Sequence, residues 1–199
     1  MSLMPDDLEA RLVTAAPGGI RYSAKTDDKS VTTAWCVLAN KDDLLPIAGL
    51  LKAMGARLST MTVFQPKAPA APPPPKEGEE AAPAPTFFGG DVASDGKSYE
   101  IDYHFDIEGD TLTVVAHVPS GGEIDSLSAL YRTADWNERE AMEIYALIVR
   151  GHPDPRRLFI DPAIEGAVLE RLIPYSTLVN SASTKGLWEK ILAQTGSKS

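Results

Sequence analysis

The side chains able to act on a substrate or hold a metal gather in the second half of this 199-residue chain: His104 and His117 in the alternating run 99–118, His152 in a Gly-His-Pro step, and the acids between 135 and 161. His104, His117 and Asp102 fall on the polar face of a hairpin, and two imidazoles with a carboxylate can bind a divalent metal. No ligand-spacing motif accompanies them, so a solvated strand face is the better reading and no metal ligand is assigned. Glu138 and Glu140 offer paired carboxylates for general acid–base work, but on a helix they point about 200° apart and do not converge on one substrate atom. GxSxG, HExxH, Walker A and GxGxxG patterns are absent, and each would have given a mechanical reason to expect catalysis. Cys36 is the single cysteine, which excludes an intrachain disulfide, a CxxC pair and a Cys-only iron–sulfur site within this chain. The expectation is a chain with no catalytic, cofactor-binding or metal-ligating residue of its own.

The most distinctive stretch is Asp135 to Asp161, DWNEREAMEIYALIVRGHPDPRRLFID. Asp135 is placed to cap a helix with Glu138 at its third position. Ala141, Ile144, Tyr145 and Ile148 then share the face that meets a sheet, while Glu138, Arg139, Glu140 and Glu143 lie mostly on the surface, with Arg139 and Glu143 spaced to pair. Beyond it, Pro153 and Pro155 fix their own φ and steer His152 and Asp154 away from helix, giving a stiff, extended loop suited to recognition. His152 is by default a structural hydrogen-bonding residue. Arg156 and Arg157 present forked donors either to carboxylates of a partner or to acids of this chain.

These residues need elements to hold them. Pro5 to Ala16 repeats Leu8, Leu12 and Val13 at helical spacing. Val31 to Ala39 reads as a buried strand, Asp42 or Asp43 caps a helix bearing Leu44, Ile47, Leu50, Leu51 and Met54, and Leu58 to Phe64 is another strand. Residues 66–85 hold eight of the sixteen prolines and no large apolar side chain, so they read as an exposed linker that cannot offset its own ordering entropy. The run 99–107 then alternates with period two. A Gly109–Asp110 turn would set Ile107 against Leu112, Phe105 against Val114, Tyr103 against Ala116 and Ile101 against Val118. Short helices are expected at Ala163–Ile173 and Thr184–Leu192. The fold class is α/β (α+β): a mixed sheet with flanking helices, divided as an N-terminal lobe 1–65, the linker 66–85, a hairpin, helix and loop 86–161 and a helical tail 162–199, the lobes forming one compact domain.

Nineteen Lys and Arg against 28 Asp and Glu give a net charge of −9, which argues against a nucleic-acid binder. The longest apolar runs, Ala34–Ala39 and Ile144–Val149, are six residues each, far short of the ~20 that span a bilayer. Acids near the N-terminus leave no basic, apolar secretory signal, so a cytoplasmic location is expected.

The run Trp136-Asn137-Glu138-Arg139-Glu140, then Gly151-His152-Pro153, then Arg156-Arg157, resembles the signature of the 30 kDa subunit of respiratory NADH:quinone oxidoreductase, complex I. It is similar also to the small subunit of energy-converting membrane-bound nickel–iron hydrogenases. The resemblance implies a non-catalytic subunit of the hydrophilic arm, bound to the large catalytic subunit (49 kDa type) near iron–sulfur subunits. Iron–sulfur clusters, and a nickel–iron centre in the hydrogenase case, would then belong to partners, and membrane association would be peripheral, through the complex only. Trp136, Glu138, Arg139, Glu140, His152, Pro153, Arg156 and Arg157 would form the interface and its support, the helix orienting the loop while His152 and the arginines meet the large subunit. Where the family has an aspartate, an aromatic and a glycine late in the signature helix, this chain has Glu143, Tyr145 and Ala146. Where complex I members tend to run into an aromatic, proline- and lysine-containing tail that wraps the large subunit, this chain has the two short helices expected at Ala163–Ile173 and Thr184–Leu192. Both departures favour the hydrogenase-type assembly over the NADH-oxidising one. The alternatives are a free-standing His/carboxylate metalloenzyme and a proline-rich interaction scaffold.

Overall fold

The computed structural model describes residues 4–66, 96–145 and 147–159. Most of the linker and both tail helices therefore lie outside the described residues. In chain order the elements are α1 (Leu8–Ala15), β1 (Ile20–Thr26), β2 (Thr32–Leu38), a 3-10 turn (Lys41–Asp43), α2 (Leu44–Ala53), β3 (Arg57–Phe64), β4 (Tyr99–Ile107), β5 (Asp110–Val118), β6 (Glu123–Asp125), α3 (Ala134–Ile144) and β7 (Ile148–Arg150). Five strands form a mixed sheet in the order β1-β2-β5-β4-β3, parallel only between β2 and β5, and β6 and β7 form a separate parallel pair.

The alternation of β4 is carried through in full: Tyr99, Ile101, Tyr103, Phe105 and Ile107 are buried and the residues between them are not. They join Leu112, Val114, Ala116 and Val118 of β5, Ala34, Cys36 and Leu38 of β2, Leu8 and Leu12 of α1, and Leu44, Ile47, Ala48 and Leu51 of α2 in one core. Burial pushes the Cys36 thiol up to about 12, so it behaves as a small core hydrophobe.

The hairpin register differs from expectation by two residues. Its turn is Glu108–Gly109, at φ 54° and 106°, and two consecutive positive φ values are what a two-residue hairpin loop uses to match strand twist. Phe105 therefore faces Leu112, Tyr103 faces Val114, Ile101 faces Ala116 and Tyr99 faces Val118. Asp110 belongs to the strand: its buried carboxylate accepts the N–H groups of Met4 (2.8 Å) and Thr32 (2.7 Å), tying the N-terminus and β2 to β5. A slip of two preserves the faces, so apolar pairing alone fits both registers.

Two further expectations change. Asn40, not an aspartate, caps the start of the α2 region by accepting the Asp42 N–H at 3.0 Å. The Asp43 carboxylate instead takes the Gly18 N–H at 2.9 Å, in an approach so close that a Cβ at position 18 would lie 2.5 Å from its oxygen. And the signature helix stops at Ile144: Tyr145 is extended, while Ile148 opens β7 and is 56% exposed, because its neighbours on either side, Leu147 and Val149, are the buried ones.

Candidate docking site

Helix α3 does not cap as expected. Thr133 precedes it and Asp135 lies inside its first turn, which frees Glu138 from any capping duty. The buried stripe of α3 runs Ala134, Glu138, Ala141, so an acid occupies the central core position. Glu138 is 1% exposed; its Oε2 accepts the Ser126 hydroxyl and its Oε1 the Leu127 N–H, both at 2.6 Å. Burial raises its pKa, opposed by those two hydrogen bonds and by the nearby His152. The same burial, with the Glu138 charge added, pushes the Tyr103 phenol well up.

His152 closes the arrangement from the loop side. Its ring is fully buried, and Nδ1 accepts the Asp154 N–H at 3.0 Å, which leaves the proton on Nε2. Nε2 then faces the Asp135 carbonyl at 3.2 Å, with Asp135 Oδ1 at 3.5 Å and Glu138 Oε2 at 3.7 Å. The arginines were expected to meet a partner together with this histidine; in the structure the His152 side chain points inward and pins the loop to α3.

Arg139 and Glu143 were expected on the helix surface. Instead Arg139 donates through Nε to the Arg156 carbonyl and through a terminal nitrogen to the Arg157 carbonyl, both at 2.9 Å, with Asp154 at 3.7 Å. Glu143 is buried and accepts the N–H groups of Phe159 (3.0 Å) and Leu158 (3.3 Å). The physical reason is backbone accounting: residues 151–159 form no ladder beyond β7, so their peptide groups need partners, and the charged side of α3 supplies them. Asp154 holds Arg156 in a two-point contact at 2.7 Å, which keeps its carboxyl far below the usual range.

What these struts present is apolar as well as charged. Trp136 is 63% exposed and Phe159 69% exposed, with ring centroids 6.5 Å apart edge to face. Glu140, Pro153 and Arg156 are exposed beside them. The eight residues singled out from sequence thus divide: Trp136, Glu140, Pro153 and Arg156 face outward, Glu138, Arg139 and His152 are internal, and Arg157 is partly buried. Phe159 went unassigned in the sequence, where it is one apolar residue after two arginines with no periodicity to mark it.

The hairpin histidines do not converge. His104 lies 3.1 Å from the Thr113 hydroxyl and 3.3 Å from that of Thr62, and His117 lies 3.0 Å from Glu100. The corrected register puts the Asp102–Val115 pair between them, so they are not diagonal neighbours. Among the described residues no group of three or more His, Cys, Asp or Glu is placed to hold a metal ion. No helix among them is long and apolar enough to cross a membrane.

An NADH-quinone oxidoreductase subunit from Mesorhizobium japonicum is 31% identical over 93 residues, 46% of each chain. Its counterpart from Rhodopseudomonas palustris is 32% identical over 91 residues, 45% of each. The chain thus spans about half the length of the curated relatives it matches. Among solved structures, a trypsin-resistant fragment of Nqo5 aligns with TM-score 0.47 at 19% identity, covering 74% of this chain and 98% of the fragment. A chain of the membrane-bound sulfane sulfur reductase, an archaeal respiratory membrane complex, aligns with TM-score 0.43 at 14% identity, covering 79% of this chain and 78% of that one. The family model of the 30 kDa subunit of respiratory-chain NADH dehydrogenase matches residues 37–177, well over half of the sequence, and the chain belongs to that family.

Proposed function

We propose that this chain is a non-catalytic subunit of a membrane-associated, energy-converting oxidoreductase, seated on its large catalytic subunit through Trp136, Phe159 and the 152–157 loop. The observation that carries this reading is the use of Glu138, Arg139, Glu143 and His152 as internal struts for an exposed aromatic pair. A solvated loop gains nothing from four buried or half-buried polar supports, whereas a binding surface gains pre-organisation. Exposed Trp and Arg side chains at one spot are the residue types that dominate interface energetics. In this reading the iron–sulfur clusters, and nickel–iron in a hydrogenase-type assembly, belong to partner subunits, and the chain supports their relay by holding the large subunit in place.

The preference for a hydrogenase-type assembly rests on Glu143, Tyr145 and Ala146 and on the tail. The curated relatives are named for NADH-quinone oxidoreductase, which weighs toward the other type. Capture of the tagged chain from its native membranes in mild detergent, with co-purifying proteins identified by mass spectrometry, tests both levels. A large subunit of either type is the expected prey, and its identity chooses between them. Recovery of the chain alone, or a tightly bound cluster in the purified chain, would overturn the reading.

A further inference from the structure

A second surface, on the segment that leads into α3, shares no residue with the candidate docking site. The α2–β3 turn and the 130–133 segment line an open cleft of about 380 Å³ with Leu58, Leu130 and the Tyr131 ring at its base. Its charged lining is Lys52, Arg57 and Arg132, with no acid among the described lining residues, in a chain of net charge −9. The Lys52 ammonium stands 4.9 Å from the Tyr131 ring centroid, and that ring is fixed in turn by its hydroxyl donating to the Ala48 carbonyl at 3.3 Å. Arg57 shares its charge with Asp106 at 3.0 Å. Arg132 is exposed and its guanidinium has no ion-pair partner among the described residues. Lys52 also complements the C-terminal end of α2, which accounts for one cation but not for three.

The chemistry of the lining selects the ligand. A site for a free phosphate usually aims backbone N–H groups at it, but here those of Gly55 and Ala56 are already donated to the Lys52 and Leu51 carbonyls. What remains is an apolar floor ringed by long, separated cations, which suits carboxylates spaced along a chain with aliphatic groups between them. Arg132 stands two residues before α3, so the cleft lies on the segment that leads into the helix carrying Trp136. We propose that this cleft docks an acidic, partly apolar segment of the polypeptide that seats on α3. The identity of that polypeptide rests on the docking reading above, while the cleft's preference for an acidic peptide does not.

The test is a titration of the isotopically labelled full chain with a peptide alternating glutamate pairs with leucine, followed through the amides of Gly55, Ala56 and Arg132. Saturable shifts are expected, weakening as salt rises, and the Lys52→Gln/Arg132→Gln double variant should bind about tenfold more weakly, with a melting temperature lowered only slightly by loss of the Lys52 contacts to Tyr131 and the end of α2. The absence of shifts, or shifts produced by inorganic phosphate and not by the peptide, would overturn the proposal. In membrane capture the same double variant should recover several-fold less large subunit, with a shallower salt dependence, while Lys25→Gln on β1 should match the wild type. If the wild type captures a large subunit and the double variant captures it equally well, the cleft is not part of the interface although the docking reading stands. If the wild type captures none, the docking reading fails, and the peptide titration still decides the cleft.

Discussion

Glu138 shows how much a single residue is asked to hold. It receives the Leu127 N–H and the Ser126 hydroxyl from below and faces His152 from the loop side, all within a buried stripe. Glu138→Ala strands a buried N–H and leaves a cavity, so a loss of about 2–4 kcal/mol is expected in urea unfolding. Glu138→Gln keeps an acceptor for Leu127 and should cost about 1 kcal/mol. Asp102, on the other face of the sheet, works in the opposite sense. Partial burial and then Glu100 raise its pKa from 3.8 to about 6, and its Oδ1 has no hydrogen-bond partner among the described residues. The folded state therefore holds this proton more tightly than the unfolded chain. Stability falls as pH rises from about 4 to 6, and the penalty is fully present above that window. Asp102→Asn should flatten the stability curve over that interval and gain about 1 kcal/mol at pH 7, once partial exposure is allowed for. A variant whose pH dependence matched the wild type would show that the burial of Asp102 is not felt energetically.

At the scale of elements, α3 fixes two things at once: the loop that it displays and the edge of the sheet that it shields. The Tyr145 hydroxyl donates to the Val63 carbonyl at 2.8 Å and that of Thr133 to the Leu58 carbonyl at 3.0 Å, so both ends of the helix close acceptors on the edge strand β3. Tyr145→Phe should cost about 1 kcal/mol, measured by thermal or urea melting, with the loop unchanged. Gly18→Ala, which would drive a methyl onto Asp43, should cost about 1–3 kcal/mol by separating the α1–β1 connection from α2. Much of this layer is legible in the amino-acid pattern. β2, α2, β3, β4 and β5 stand out because their apolar periodicity is strong and their ends carry turn or cap residues. β1 does not, since Ile20–Thr26 is an exposed edge strand with polar and charged side chains at most positions. The hairpin register escapes because slipping by two leaves every face intact, and only the left-handed geometry at Glu108 and Gly109 decides it. The burial of Glu138 has a signal, an acid at the centre of the Ala134–Ala141 stripe. Polarity alone sends such a residue to the surface, and its partners at Ser126 and Leu127 lie outside the helix where periodicity does not reach.

For the molecule as a whole, the described sheet closes across the two ends of the inserted segment. β3 and β4 pair from Phe64–Glu100 onward, and the Gln65 amide donates to the Lys97 carbonyl at 2.6 Å, so the two ends of the insertion already meet. Replacing residues 68–94 by a short Gly/Ser turn should leave stability within about 1 kcal/mol and leave partner capture intact, since loop length alters closure entropy only slowly. Loss of capture on that replacement would favour the proline-rich scaffold instead. In the proposed function, Trp136 of α3 and Phe159 of the loop that α3 braces seat this chain on a larger subunit. A photo-crosslinking phenylalanine analogue placed at position 136 of the full chain, irradiated in native membranes, tests it most directly. The expected result is an adduct with the large catalytic subunit, and none from the same analogue at position 29. An unmodified chain at position 136, with adducts formed from position 29 or from the outer sheet face at position 35, would contradict it.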